Sequence, residues 1–277
     1  VRHVLAVVSD IHAGSTVGLC CPEPVELDDG GTYLPSRAQQ WLHNRWVTFW
    51  QRVAAAKKGA DSLTILCNGD LVDGDHHGTF QIISRDPAVQ MWIAKQLFAP
   101  VLALDPTQVV VVRGTEAHVG KNAGAEEHFA RWLHKEGVKV PKDPATKMLS
   151  WWAFRGKIGA LVVSAAHHGR MGQRPWTKGG ISHNLAAQIV MEHANRGDPI
   201  PDLAVRSHMH QYFDTGQAVR TRLIQTPAWQ LHTSFAHKVV PESLADIGGV
   251  IITVEDGRPT VDPVLFVPER PALTRLA

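Results

Sequence analysis

Four shortages frame this 277-residue chain. Three cysteines, two of them adjacent at Cys20 and Cys21, are too few for a disulfide framework and are compatible with a reducing compartment. Neither sign of charge dominates. Twenty-eight Lys and Arg against 26 Asp and Glu leave a formal +2, so the bulk balance draws the chain to neither nucleic acid nor membrane. No uncharged apolar run reaches the roughly 18 residues of a membrane span. The apolar start at residues 4–8 is too short for a signal sequence and leads straight into Asp10 and His12. The expected location is the cytoplasm, without membrane contact. Internal repeats and low-complexity linkers are also missing, so residues 1–277 are expected to form one domain.

Histidine and tryptophan, by contrast, are plentiful, at 16 and 9 residues. The tryptophans are expected to pack helices and core. The histidines carry chemistry only where they cluster with carboxylates.

Apolar patterning alternates strand and helix. Strands are expected at residues 4–8, 63–67, 108–112, 203–206, 217–224 and 250–254, and residues 148–155 and 160–164 are expected to form a hairpin pair or two neighbouring strands. Helices are expected at 36–58 with Ser36 as N-cap, and at 87–104, 124–136 and 178–195. The continuous apolar runs at 109–112 and 161–163 predict strands covered on both faces. Residues 14–35, rich in Gly, Pro and Asp, are too long for a plain connector and are expected to form a lid or an insertion overhanging the site. From Pro259 the chain is Pro-rich and is expected to wrap the surface.

Five short stretches follow the strands: Asp10-Ile11-His12, Asn68-Gly69-Asp70, Gly114-Thr115-Glu116-Ala117-His118, His167-His168-Gly169 and Ser207-His208-Met209-His210. In open α/β sheets, functional residues lie just beyond the carboxyl ends of strands. Residues two apart on an extended strand end point to one face, so Asp10 with His12, and His208 with His210, can each converge. Carboxylate and imidazole in these numbers suit two ions about 3.5–4 Å apart, as in two-metal hydrolases. The donor set is compatible with manganese, zinc or iron and does not choose among them. Asp73 is expected to play a supporting part. His76 and His77 lie in a Gly-flanked loop after Asp70, and loop histidines usually stay outside a site.

In their order, these stretches resemble the calcineurin-like metallophosphoesterases, whose pattern runs D-x-H, G-D-x-x-D, G-N-H-[DE], a lone H, then G-H-x-H. The resemblance spans residues 4 to about 212. It implies a four-layer α/β/β/α sandwich with two mixed β-sheets. It implies one ion held by Asp10, His12, Asp70 and His210, with Asp70 bridging to a second ion held by His167 and His208. It further implies a phosphoesterase in which a hydroxide bridging the ions attacks phosphorus. Two departures stand out. Ser207 replaces a usual Gly, and residues 114–118 lack the Asn-His pair. Glu116 is the expected replacement for the Asn as metal ligand, and His118, one residue later, is the expected proton donor to the leaving group. The alternative is that Thr115 takes the ligand position while Glu116 orients it. Arg170 and His168 are candidate substrate contacts in the basic loop 168–178.

The substrate is expected to be a phosphate ester, with a lean to diesters such as nucleotides or nucleic acid. The alternatives are a DNA nuclease of the same family and a non-catalytic, metal-stabilised binding protein. The residues do not specify an oligomeric state.

Overall fold

Apolar residues on both faces of β1 (Arg2–Val8) bury alternately to opposite sides of a sheet. The computed structural model describes residues 1–76, 78–120, 124–172, 174, 176–240 and 244–269. After β1 come β2 (Val25–Glu26), β3 (Thr32–Tyr33), α1 (Arg37–Lys57), β4 (Ser62–Asn68), α2 (Pro87–Leu102) and β5 (Gln108–Val112). Next are α3 (Glu116–Val119), α4 (Gly124–Lys135), β6 (Ser150–Trp151), β7 (Phe154–Ile158) and β8 (Leu161–His168). The chain then runs through α5 (Lys178–Asn195), β9 (Leu203–Ser207), β10 (Phe213–Asp214), β11 (Arg222–Gln225), α6 (Ser234–Val239), β12 (Ile247–Glu255) and β13 (Arg258–Phe266).

Two sheets dominate. The first has the order β13-β12-β1-β4-β5-β6, the second β10-β11-β9-β8-β7. Both are mixed: β1, β4, β5 and β6 run parallel, β12 runs antiparallel to β1, and β13 runs antiparallel to β12. In the second, β8, β9 and β11 run parallel between antiparallel edges β7 and β10. The sheets pack face to face through Leu5, Val7, Leu66, Val110 and Val112 against Val163, Leu203, Val205 and Ile224. The outer face of the first sheet buries Val4, Ala6, Ile65 and Val111 under Trp46, Phe49, Leu97 and Phe129 of α1, α2 and α4. On the outer face of the second, Ala204 and Leu223 pack on Ala186 and Ile189 of α5. The result is a four-layer α/β/β/α sandwich with two mixed sheets. Among the described residues, no helix is long and apolar enough to cross a membrane.

The Ser36 cap of α1 is a reciprocal capping box with Gln39. Gln39 then reaches on to the carbonyls of Ser15 and Gly18. That contact helps explain why residues 14–35 do not form a lid. Leu19, Cys20, Cys21 and Val25 are fully buried in the helix-side core, and β2 and β3 pair as a small ribbon. Four apolar side chains removed from water anchor the segment.

The carboxyl end also departs from expectation. Residues 259–266, expected to wrap the surface, instead belong to β13, an edge strand paired along all of β12, while residues 270–277 lie outside the described residues. Pro259 and Pro263 are tolerated because an edge strand has a side that needs no donor. The strand expected at 217–224 begins only at Arg222. The one expected within 148–155 splits between the two sheets, β6 in the first and β7 in the second.

Candidate metal centre

The carboxyl ends of β1, β4, β5, β8 and β9 gather the five stretches at one end of the sandwich. Three groups form there, each with ligand atoms that all lie within 4.8 Å of one another: Asp10, His12 and His210; Asp70, His167 and His208; and His12, Asp73 and His118, which shares His12 with the first. His167 Nε2 is 3.0 Å from Asp70 Oδ2 and 3.8 Å from Asp10 Oδ1. His210 Nε2 is 3.3 Å from the same Asp10 Oδ1. That oxygen therefore lies between the first two groups.

Alternating strand side chains are not what brings the pairs together. Asp10, His12, Asp70, His208 and His210 all follow their strands and have φ of 51°, 49°, 50°, 74° and 51°. These are left-handed conformations, uncommon for residues with a Cβ and costing on the order of 1 kcal/mol or more each. Five of the eight described non-Gly residues with positive φ are in this one cluster. Each tight turn swings a ligand back over the strand ends. Gly114 permits the closest approach, since a Cβ there would lie 2.2 Å from Asp70 Oδ1 and 2.3 Å from Asp70 N. At Gly69 a Cβ would strike the His167 ring at 2.3 Å.

Hydrogen bonds orient the ligands from behind. His167 Nδ1 faces the Asn68 carbonyl at 2.7 Å and must donate to it, which directs Nε2 to the carboxylates. Asp73 faces His12 Nδ1 at 3.1 Å and accepts from Gln230, so it supports His12 as expected. A chain of buried polar groups, Ser9, Thr226, Ser207 and Asn68, ties β1, β4 and β9 together. The hydroxyl of Ser207, where the family pattern has Gly, belongs to that chain.

Glu116 is not brought to the centre. It lies exposed in the first turn of α3, outside all three groups. The helix starts at Glu116 and points its side chain outwards. Thr115 stands in the gap instead. Its backbone N–H donates to Asp70 Oδ1 at 2.6 Å, and its hydroxyl is 3.1 Å from Asp70 Oδ2 and 3.2 Å from His208 Nδ1. His118 does reach the site. Its ring meets His12 edge-on at 4.5 Å, and its Nδ1 donates to the Asp73 carbonyl. With Nδ1 donating, Nε2 is the acceptor nitrogen of the neutral ring. His168 is exposed and tilts over His208 at 4.9 Å, and Arg170 is exposed two residues further on. His76 is drawn in, 3.6 Å from Asp73 Oδ2 and 4.3 Å from the His118 ring. His77 lies outside the described residues, as do Gln173 and Pro175 of the basic loop.

Charge is concentrated and buried. Burial alone would raise Asp10, yet His167 and His210 bring it down to about 2. Burial opposes the same change at Asp70, where His167 holds the carboxyl well below the usual range. Burial would lower His167, but Asp70 and Asp10 raise it to about 10. Both ring nitrogens of His167 face acceptors, so it is an imidazolium. Its Nε2 proton occupies the place of a cation between two carboxylates. Asp10 Oδ1 is buried with no hydrogen-bond partner. An orphaned carboxylate oxygen aimed between two His/Asp groups is what a cation would satisfy, so the residues fit metal.

Sequence reasoning missed Glu126. It is buried behind Asp70 in a small cavity shared with Ser9, Asn68 and Phe129, and its Oε1 accepts from Leu71 N–H. Burial and the charge of Asp70 push it up to about 8. The signal was a pair of glutamates, Glu126 and Glu127, in the first turn of an amphipathic helix, where at least one must turn inward.

The sequence matches no family model and no curated protein. Solved structures similar to it include a predicted phosphoesterase of Streptococcus pneumoniae, with 10% identity, 95% of this chain and 88% of that one covered, and a TM-score of 0.39. A novel archaeal phosphodiesterase has 9% identity, covers 95% and 99%, and scores 0.42. Vps29 of Entamoeba histolytica complexed with Zn²⁺ has 12% identity, covers 95% and 98%, and scores 0.40.

Proposed function

We propose that this chain is a metal-dependent phosphoesterase of the calcineurin-like type that hydrolyses phosphate esters, with a preference for diesters. One observation carries the reading: Asp10 Oδ1, buried and without a hydrogen-bond partner, lies between His210 and His167 of two adjoining ligand groups. Asp10, His12 and His210 would hold one cation, and Asp70, His167 and His208 the other. Thr115, in contact with Asp70 and His208, takes the place expected for Glu116. Two divalent cations there would supply charge neutralisation for the phosphoryl oxygens and lower the pKa of a bound water.

The chain's own residues do the rest. Asp73 and the Asn68 carbonyl hold His12 and His167 in one orientation, so no reorganisation is needed on binding. His118 Nε2 faces the leaving-group side. Burial and the neighbouring His12 lower His118 to about 4, so it is neutral until an anionic ester arrives and takes up its proton with the substrate. His168 and Arg170 approach the phosphate from the His208 side, where a guanidinium can grip two oxygens at once.

The test is hydrolysis of bis-p-nitrophenyl phosphate beside p-nitrophenyl phosphate, with manganese and with a chelator, on protein whose metal content is measured. Chelator-sensitive turnover favouring the diester supports the reading. Metal-loaded protein that turns over neither ester, nor a panel of nucleotide diesters, overturns it in favour of a metal-stabilised binding protein.

A further inference from the structure

The near-neutral net charge of the chain conceals a strongly cationic cleft lined by none of the residues of the metal centre. Between α4, α2 and residues 142–149 lies a cleft of about 730 Å³, equal to a cube about 9 Å on edge. Lys95, Arg131, Lys135, Lys142 and Lys147 line it, against the single acid Glu127. Five cations and one acid make a net +4 where the whole chain has +2, so the rest of the molecule is net −2.

The acids at hand do not neutralise it. Glu127 is buried, and its Oε2 accepts from the backbone N–H groups of Leu149 and Ser150 and from the Ser150 hydroxyl. Its other oxygen pairs with Arg131 at 2.9 Å. Asp143 is occupied within its own loop by Ala145 N–H and Thr146 Oγ1. Among the described residues, Lys95, Lys135, Lys142 and Lys147 have no acidic partner within ion-pair distance. The bonds of Glu127 also pin residues 149–150 to α4, so the two walls are fixed relative to each other. Trp132, half-buried with its ring 5.4 Å from that of Phe129, supplies an aromatic surface within the cleft.

We propose that this cleft binds the backbone of a single-stranded nucleic acid and holds a phosphodiester chain beside the metal centre. Unpaired cations along a groove recognise a repeating anion, and an aromatic ring among them offers a base a stacking platform. Position supports the assignment. Glu126, in the first turn of α4, touches Leu71 next to Asp70. Lys135 ends the same helix nine residues on, roughly 14 Å along its axis. The choice of a phosphodiester as ligand rests on the phosphoesterase reading.

The experiment measures binding of fluorescein-labelled dT15 by anisotropy in chelator, at about 25–200 mM salt. The variant is Lys95→Glu/Lys135→Glu/Lys147→Glu, which breaks no ion pair seen among the described residues. The matching triple Gln variant and thermal unfolding control for folding. Three lost phosphate contacts should reduce the log–log salt slope by about 2 and weaken binding at least tenfold, while turnover of bis-p-nitrophenyl phosphate is unchanged. Binding within twofold of wild type in both triple variants overturns the assignment. So does equal competition by polyglutamate of matched charge, which would make the cleft a site for acidic protein. Asp70→Asn separates the two readings, because it should abolish hydrolysis and leave dT15 binding intact. Wild-type protein that binds dT15 through these lysines but hydrolyses no ester would refute the phosphoesterase reading alone.

Discussion

Metal uptake by the metal-free protein should release protons, and the structure sets how many. Asp10, at about 2, and Asp70, lower still, stay ionised throughout the neutral range. His167, held to about 10 by those carboxylates, keeps its Nε2 proton there. An ion entering between Asp70 and His167 must displace that proton, because it stands 3.0 Å from Asp70 Oδ2 on the nitrogen that would become the ligand. Below the raised pKa, each unit of pH therefore changes the apparent affinity by about tenfold, or about 1.4 kcal/mol. From about pH 6 to pH 8 the affinity for manganese should rise roughly a hundredfold per proton released. The assay is titration calorimetry in Hepes and in Tris at one pH, where the difference in heat reports the protons released. Asp70→Asn removes the nearest carboxylate, so it should lower both the proton count and the pH slope. Heats that do not depend on the buffer, with an affinity flat over this range, would show that the imidazole nitrogen is free beforehand and would refute the argument.

Other outcomes follow from neighbouring residues. Glu126→Gln tests the buried acid. A folded-state pKa of about 8, against 4.5 for the free group, means that the folded protein holds a proton the unfolded chain has lost. Wild-type stability should therefore fall as pH rises from 4.5 to 8. Chemical denaturation at both ends of that window should show the variant gaining on wild type as pH rises. Thr115→Ala should lose most of one metal equivalent by elemental analysis, while Glu116→Gln keeps both; the reverse would return the ligand role to Glu116. His118→Gln should cost about 10²–10⁴ in kcat for esters with a basic leaving group and much less for p-nitrophenyl esters. In Gly114→Ala the added methyl meets Asp70 at 2.2 Å, so metal binding should fail in a protein that still unfolds cooperatively.

Much of the sandwich could be read directly. Continuous apolar runs marked the strands between two layers, and Ser36 marked the start of α1 within one residue. Where expectation failed, the reason lies in tertiary packing. Residues 14–35 read as a loop by their Gly, Pro and Asp content, but four apolar side chains among them found a place in the core. The Pro-rich end read as non-strand, because whether proline is tolerated depends on lying at an edge, and no local pattern shows that.

At the centre, the order of the five stretches by itself determined which residue types could meet there and that such a donor set is suited to metal. Which atoms meet was decided only in three dimensions. Left-handed turns at five ligands and the contact of Gly114 with Asp70 set the approach. The start of α3 decided that Thr115 faces inward and Glu116 outward. The cationic cleft is the clearest case. A formal +2 averages over the whole chain, whereas folding places Lys95, Arg131, Lys135, Lys142 and Lys147 around one hollow. Composition counts charges, but electrostatic attraction depends on the distances between them, and only the fold determines those.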